Sequence, residues 1–175
     1  VGSEMCIRDS LVLTSPLIED TKIGRHIDVH GDGMKNISFS VDSAKVAWEE
    51  SIKRGAISEY EPKIIRDENG EAVIPAIRTF GDTIHSFVER RNYNGPFLPG
   101  FIVNKSEKVN DDTGLIHIDH VVGNQPDGEM KNVCKFYEDV LGWHRFWSVD
   151  DKDINRVFES PEVVRYMFWL GQRAI

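Results

Sequence analysis

Ile37-Ser38-Phe39-Ser40-Val41 alternates apolar and polar residues, the period-2 pattern of a strand with one buried face. Asp42 or Ser43 then offers a side-chain oxygen to the free N–H groups that open a helix. Ala44, Ala47, Trp48 and Ile52 fall on one helical face. Lys53 and Arg54 suit the negative end of the helix dipole, and Gly55 can take the left-handed conformation beyond it. Three strands are expected next, over 57–65, 72–80 and 83–90. Pro62 inside the first fits only an edge or a bulge. Asn69-Gly70 is a strong hairpin signal, and Gly81-Asp82 turns the chain into the third strand. The segment therefore reads β-α-β-β-β.

On its N-terminal side, Leu11 to Thr14 reads as the end of a strand closed by Pro16. Residues 20–30 predict a short helix despite Gly24, with Gly31-Asp32-Gly33 as a break. On the other side, residues 91–113 carry Asn92, Asn94, Gly95, Pro96, Pro99, Gly100 and a polar tract ending at Asp111-Asp112, and read as a linker. The pattern then restarts. Leu115 to Val122 is expected as a strand, Gly123 to Pro126 as a turn, and Asp127 as a helix cap. Met130, Val133, Cys134, Tyr137, Val140 and Leu141 form one apolar stripe that ends at Gly142, before a strand from Trp143 to Val149. The order strand, cap, helix, glycine thus occurs twice. The fold class is α+β, with tandem βαβββ modules of which the last is incomplete. That second module is expected to expose a helix stripe and a sheet edge which further strands would cover.

Composition narrows the function classes. The 175 residues leave room for one domain, or for one and part of another, and 40% hydrophobic residues can bury a core. Lys and Arg number 21 against 29 Asp and Glu, a net charge of -8 that argues against nucleic acid or anionic membrane as a partner. Cys6 and Cys134 do not make a disulfide framework and suit a reducing compartment. No apolar run approaches the ~20 residues that span a bilayer. Residues 1–10 have no signal-peptide pattern and no period, and are expected to be a disordered or artefactual start. The expectation is a soluble cytoplasmic protein.

Six histidines carry the candidate chemistry: His26, His30, His85, His117, His120 and His144. In Ile116-His117-Ile118-Asp119-His120, strand alternation puts His117 and Asp119 on one face and Ile118 and His120 on the other. Both histidines therefore cannot bind one metal, though either could be a lone ligand. From spacing alone a packed, hydrogen-bonded histidine is the commoner outcome. His85 alternates along its strand and reads as structural or surface. His26 and His30 are i, i+4 on the expected helix and could chelate, but Gly24 and the break at Gly31 weaken that helix and leave the spacing fortuitous. Trp48 and Phe146-Trp147 read as core. Gly31-Asp32-Gly33 lacks the G-x-G-x-x-G pattern, and there is no Walker motif, G-x-S-x-G elbow or C-x-x-C.

Several of these segments together resemble the 4-hydroxyphenylpyruvate dioxygenase family. They are His30-Gly31-Asp32-Gly33 with the strand and helix to Gly55, and Thr79-Phe80-Gly81-Asp82-Thr83-Ile84-His85. Asn92 to Phe101 is similar to that family's inter-domain segment, and Asp119-His120-Val121-Val122-Gly123-Asn124-Gln125 to its first metal-ligand strand. Phe136-Tyr137 and the run from His144 to Asp151 match the family's next segments, so the resemblance covers roughly 11–153, in order.

The resemblance implies the vicinal-oxygen-chelate (VOC) fold, built of βαβββ modules. It implies that 11–90 closes a non-catalytic N-terminal domain, that 91–113 links, and that 114–153 opens the catalytic domain. That domain would hold Fe(II) with two histidines and one glutamate, His120 being the first histidine. The implied reaction takes 4-hydroxyphenylpyruvate and O₂ to homogentisate and CO₂ in tyrosine catabolism, in a homo-oligomer. The other two ligands are expected beyond Ile175, so the chain alone is expected to be inactive. From about Ile154 the resemblance lapses, and 154–175 reads as a divergent tail. Two alternatives stand beside this reading: 4-hydroxymandelate synthase, with the same fold, metal and substrate, and a VOC-fold binding module without chemistry.

Overall fold

A computed structural model describes residues 10–18, 20–103, 118, 121–126 and 128–145. The chain order is α1 (Lys22–His30), β1 (Asn36–Ser40), α2 (Ala44–Lys53), β2 (Ser58–Tyr60), β3 (Ile64–Asp67), β4 (Gly70–Val73), β5 (Ala76–Arg78), β6 (Ile84–Val88) and α3 (Met130–Leu141). β1, β6, β5 and β2 form one sheet in that order, with β1 parallel to β6 and the other pairs antiparallel.

The β-α-β-β-β reading is present with one elaboration. The two long strands expected on either side of Asn69-Gly70 are each interrupted, giving β2 and β3 on one arm and β4 and β5 on the other. Pro62 lies in the first gap and Pro75 in the second, and neither can donate to a ladder. The arms stay joined across the gap, because the Ile74 amide donates to the Lys63 carbonyl at 3.1 Å. One bent hairpin thus serves two sheets, and an antiparallel bridge between Val73 and Glu89 ties β4 to the end of β6.

Gly70 turns that hairpin at φ +125°. A Cβ there would lie 2.0 Å from the Asn92 carbonyl oxygen, which accepts from the Glu71 amide at 3.0 Å. Backbone conformation and close approach both require glycine. Gly70→Ala should therefore cost on the order of 3 kcal/mol or more. A urea midpoint equal to wild type would refute that.

Ser43 caps α2 with its Oγ accepting from the Val46 amide, and Gly55 takes φ +101° just past the helix. Glu89 also accepts from the Ala44 amide at 2.9 Å, tying the helix start to the end of β6. Ala44, Ala56, Ile77, Phe87 and Val140 make the core, with Phe39, Trp48 and Ile52 packed around it. Trp48 is thus core-associated, as its sequence position suggests, and its indole N–H donates to Ser58 Oγ at 3.2 Å.

Three expectations are corrected. Leu11 to Thr14 form no strand; these residues are exposed coil, with no neighbour to complete a ladder among the described residues. The cap of α3 is Glu129, without a side-chain cap bond, and Asp127 lies outside the described residues. The stripe of α3 is not left exposed. Val133, Tyr137 and Val140 are buried, and Val140 shares its core with α2 and the first sheet. The first module covers the helix of the second, so burial favours their association directly. The expected strands over 115–122 and 143–149, the tail from 154 and residues 1–9 fall wholly or largely outside the described residues.

The start of the segment read as a linker is fixed in place. Tyr93 is buried, its hydroxyl donates to Asp67 Oδ2 at 3.1 Å, and the Gly100 amide donates to the same oxygen at 3.1 Å. Burial pushes the Asp67 pKa up, but those donors and the Asn69 amide together outweigh it, and the net direction is down.

Candidate functional site

Where the two modules meet, β6 supplies His85, which is 3% exposed. Its Nδ1 faces the Ile37 carbonyl at 3.2 Å, which can only accept, so Nδ1 carries the proton. Its Nε2 is then the acceptor, and the Tyr137 hydroxyl of α3 donates to it at 2.9 Å. Burial pushes the His85 pKa down to about 4, against smaller opposing contributions from the Ile37 and Ile84 backbone. The Tyr137 phenol is pushed up by burial. Tyr137 stacks on Trp143 with centroids 4.9 Å apart, and Phe39 meets both His85 and Trp143 edge-on. His85 is therefore structural, the first of the two roles its position allowed, and it joins the modules.

A mostly apolar cavity opens beside this pair, between Met34 to Ile37, Phe80 and the Val121–Gly123 segment. Gly123 approaches Phe80 so closely that a Cβ there would lie 2.6 Å from the ring Cζ. The segment is thereby seated on the first module. Its burial alternates: Val121 and Gly123 are half-buried, whereas Val122 and Asn124 are exposed. Ile118 is also exposed, in phase with the even-numbered residues. Ile118 and residues 121–126 take no strand conformation, so the strand expected over 115–122 is not formed at the positions described.

His120, the one metal ligand implied by resemblance, lies outside the described residues, as does His117. Among the described residues one group of three His, Cys, Asp or Glu side chains converges, and it is His26, His30 and Asp82. The helix that Gly24 and Gly31 weaken in the sequence forms without interruption, because Thr21 caps it by accepting from the Gly24 amide at 2.9 Å and Gly31 falls at its C-cap. Asp82, in the turn before β6, meets both rings. No local spacing announces that cluster, since Asp82 is remote in sequence.

The sheet and helix arrangement is that of the VOC fold. It matches a triple mutant of 4-hydroxymandelate synthase from Streptomyces coelicolor with a TM-score of 0.57 at 19% identity, over 76% of this chain and 38% of that one. No family model matches the sequence. Curated relatives do. 4-Hydroxyphenylpyruvate dioxygenase from Yarrowia lipolytica is 43% identical over 148 residues, 82% of this chain and 38% of its own. The enzymes of the same name from Dictyostelium discoideum and Tetrahymena thermophila are 42% and 39% identical, over 86% and 79% of this chain and 42% and 35% of theirs. The chain is thus a part-length relative of the 4-hydroxyphenylpyruvate dioxygenases, and spans about two fifths of the length of those it matches.

Proposed function

We propose that this chain is part of an Fe(II)-dependent 4-hydroxyphenylpyruvate dioxygenase that forms homogentisate and CO₂ in cytoplasmic tyrosine catabolism. The observation that carries the reading is 43% identity over four fifths of the chain to an enzyme of that name, on a VOC sheet. In this reading 11–90 closes the N-terminal domain, 91–113 crosses over, and 114–153 opens the catalytic one.

His120 is the proposed first iron ligand. An imidazole is a suitable donor for this metal, and His120 stands in Asp119-His120-Val121-Val122-Gly123-Asn124-Gln125, the segment similar to the family's first metal-ligand strand. Bound iron would bind the 2-oxo acid and O₂ and supply the oxidative chemistry. The residues of this chain hold one ligand and fix its segment, through the Phe80–Gly123 contact and the buried face of α3.

One imidazole does not hold Fe(II) against water. The 175-residue chain should therefore hold no iron at His120 and form no homogentisate from 4-hydroxyphenylpyruvate and O₂. The longer protein that contains it should form homogentisate. Chelator-sensitive turnover by the 175-residue chain would overturn the division of the site. 4-Hydroxymandelate as the product of the longer protein would overturn the assignment of the reaction, and no turnover there would favour a non-catalytic module.

A further inference from the structure

The cluster of His26, His30 and Asp82 includes none of the residues proposed for the dioxygenase site and does not depend on that reading. His26 Nδ1 lies 2.9 Å from Asp82 Oδ2, and His30 Nε2 lies 3.1 Å from the same oxygen. The three donor atoms all lie within 4.8 Å of one another. Metal–ligand bonds of about 2.0–2.1 Å put neighbouring donors roughly 3.0–3.4 Å apart around one ion. Two of the three separations are already close to that range, and the third closes by rotation of two rings on adjacent turns of one helix. The geometry points to a second metal site, His26, His30 and Asp82, that takes a borderline divalent ion such as Zn²⁺ or Co²⁺ with water in its remaining positions.

The donor set is two imidazoles and a carboxylate, which suits such ions better than Mg²⁺ or Ca²⁺. The rings are held at helical i, i+4 spacing on α1, which is capped at both ends. The His26 side chain is 12% exposed, whereas His30 and Asp82 are 46% and 48% exposed, so the site is anchored on one side and open to entry on the other. Asp82 needs no deprotonation. Its hydrogen bond from His26, then Lys35, bring its pKa down to about 2 against a smaller opposing effect of burial.

Lys35 is the competitor. Its Nζ lies 3.2 Å from Asp82 Oδ2 and also contacts the Asp82 carbonyl oxygen. In the metal-free protein that ammonium occupies the charge position the ion would take. A divalent ion must displace it, so affinity should be moderate and should rise when Lys35 is neutralised. An ion-pair latch, the alternative role for these four residues, predicts no such rise.

Calorimetric titration of the 175-residue chain with Zn²⁺ tests the site, with far-UV circular dichroism as a check on folding. Wild type should bind one equivalent. His30→Ala, at an exposed position that the fold tolerates, should lose tenfold or more, and His26→Ala and Asp82→Asn should behave alike. Lys35→Gln should tighten binding several-fold, and His120→Ala should leave it unchanged. Co²⁺ in place of Zn²⁺ should give visible absorption that His30→Ala removes. Three results would overturn the site: no binding by wild type, equal binding by folded His30→Ala, or loss of binding on His120→Ala with His30→Ala unaffected.

Discussion

Between pH 6.5 and 4 the chain should lose on the order of 3 kcal/mol of stability through His85 alone. His85 is buried and neutral in the fold, with its pKa near 4, whereas an unfolded histidine titrates near 6.5. Between those values the unfolded chain binds the extra proton and the folded chain does not. The contribution is fully present above about pH 6.5, falls as the pH falls, and is gone by about pH 4. The loss acts where the modules join, because the same ring accepts from Tyr137 of α3 and donates to Ile37 of β1. Asp82 acts in a lower window. Its folded pKa of about 2 gives a contribution present above about pH 4 and lost as the pH falls through 2. The open surroundings of Asp82 keep that contribution small. Urea unfolding at pH 7, 6, 5 and 4.5 should show the slope in wild type and a much flatter profile in His85→Gln, which starts from a lower value at pH 7. A wild-type profile flat from pH 6.5 to 4.5 would contradict the assignment, as would an unchanged slope in the variant.

Local chemistry was legible in the sequence wherever one residue type has one backbone use. A cap of α2 at Asp42 or Ser43, which proves to be Ser43, Gly55 and Gly142 as C-terminal turns, and the alternation of Ile37 to Val41 all follow from short-range rules, and all are present. Pro62 marked an edge or a bulge, and it lies in the break after the edge strand β2. Pro75 did its equal share on the opposite arm, but lay inside an otherwise good apolar run, where a tally of hydrophobic positions passes over it.

Long-range packing was less legible. The stripe on α3 identifies a buried face but not what buries it, and the first module fills that role through His85 and the core beneath α2, which takes in Val140. For His85, strand position left two outcomes open, and only the facing Tyr137 decides between them. Leu11 to Thr14 has strand-like residues with no partner among those described, which local pattern cannot reveal. The pair His26 and His30 is a weak signal in sequence for the same kind of reason. The third member of their cluster, Asp82, arrives by folding, and the helix beneath it survives because its glycines fall where a cap and a C-terminus tolerate them.

The largest functional effect should come from His120. In the longer protein that contains this chain, His120→Ala should remove one of three anchors for iron, lower iron content to near zero and abolish turnover. It should leave the fold intact, because the segment is held by Gly123 on Phe80 and by α3 rather than by the metal. His117→Ala should retain iron and most activity, since alternation along a strand would turn it to the face opposite His120. His85→Gln should retain iron at pH 7 and alter stability. A packing role for both His117 and His120 would instead give two similar, modest losses. The deciding measurement is iron content together with homogentisate formation for wild type, His117→Ala and His120→Ala of the longer protein, at matched folding by circular dichroism. The account predicts that iron and product vanish together in His120→Ala and persist in His117→Ala; retained iron with near-normal turnover in His120→Ala would contradict it.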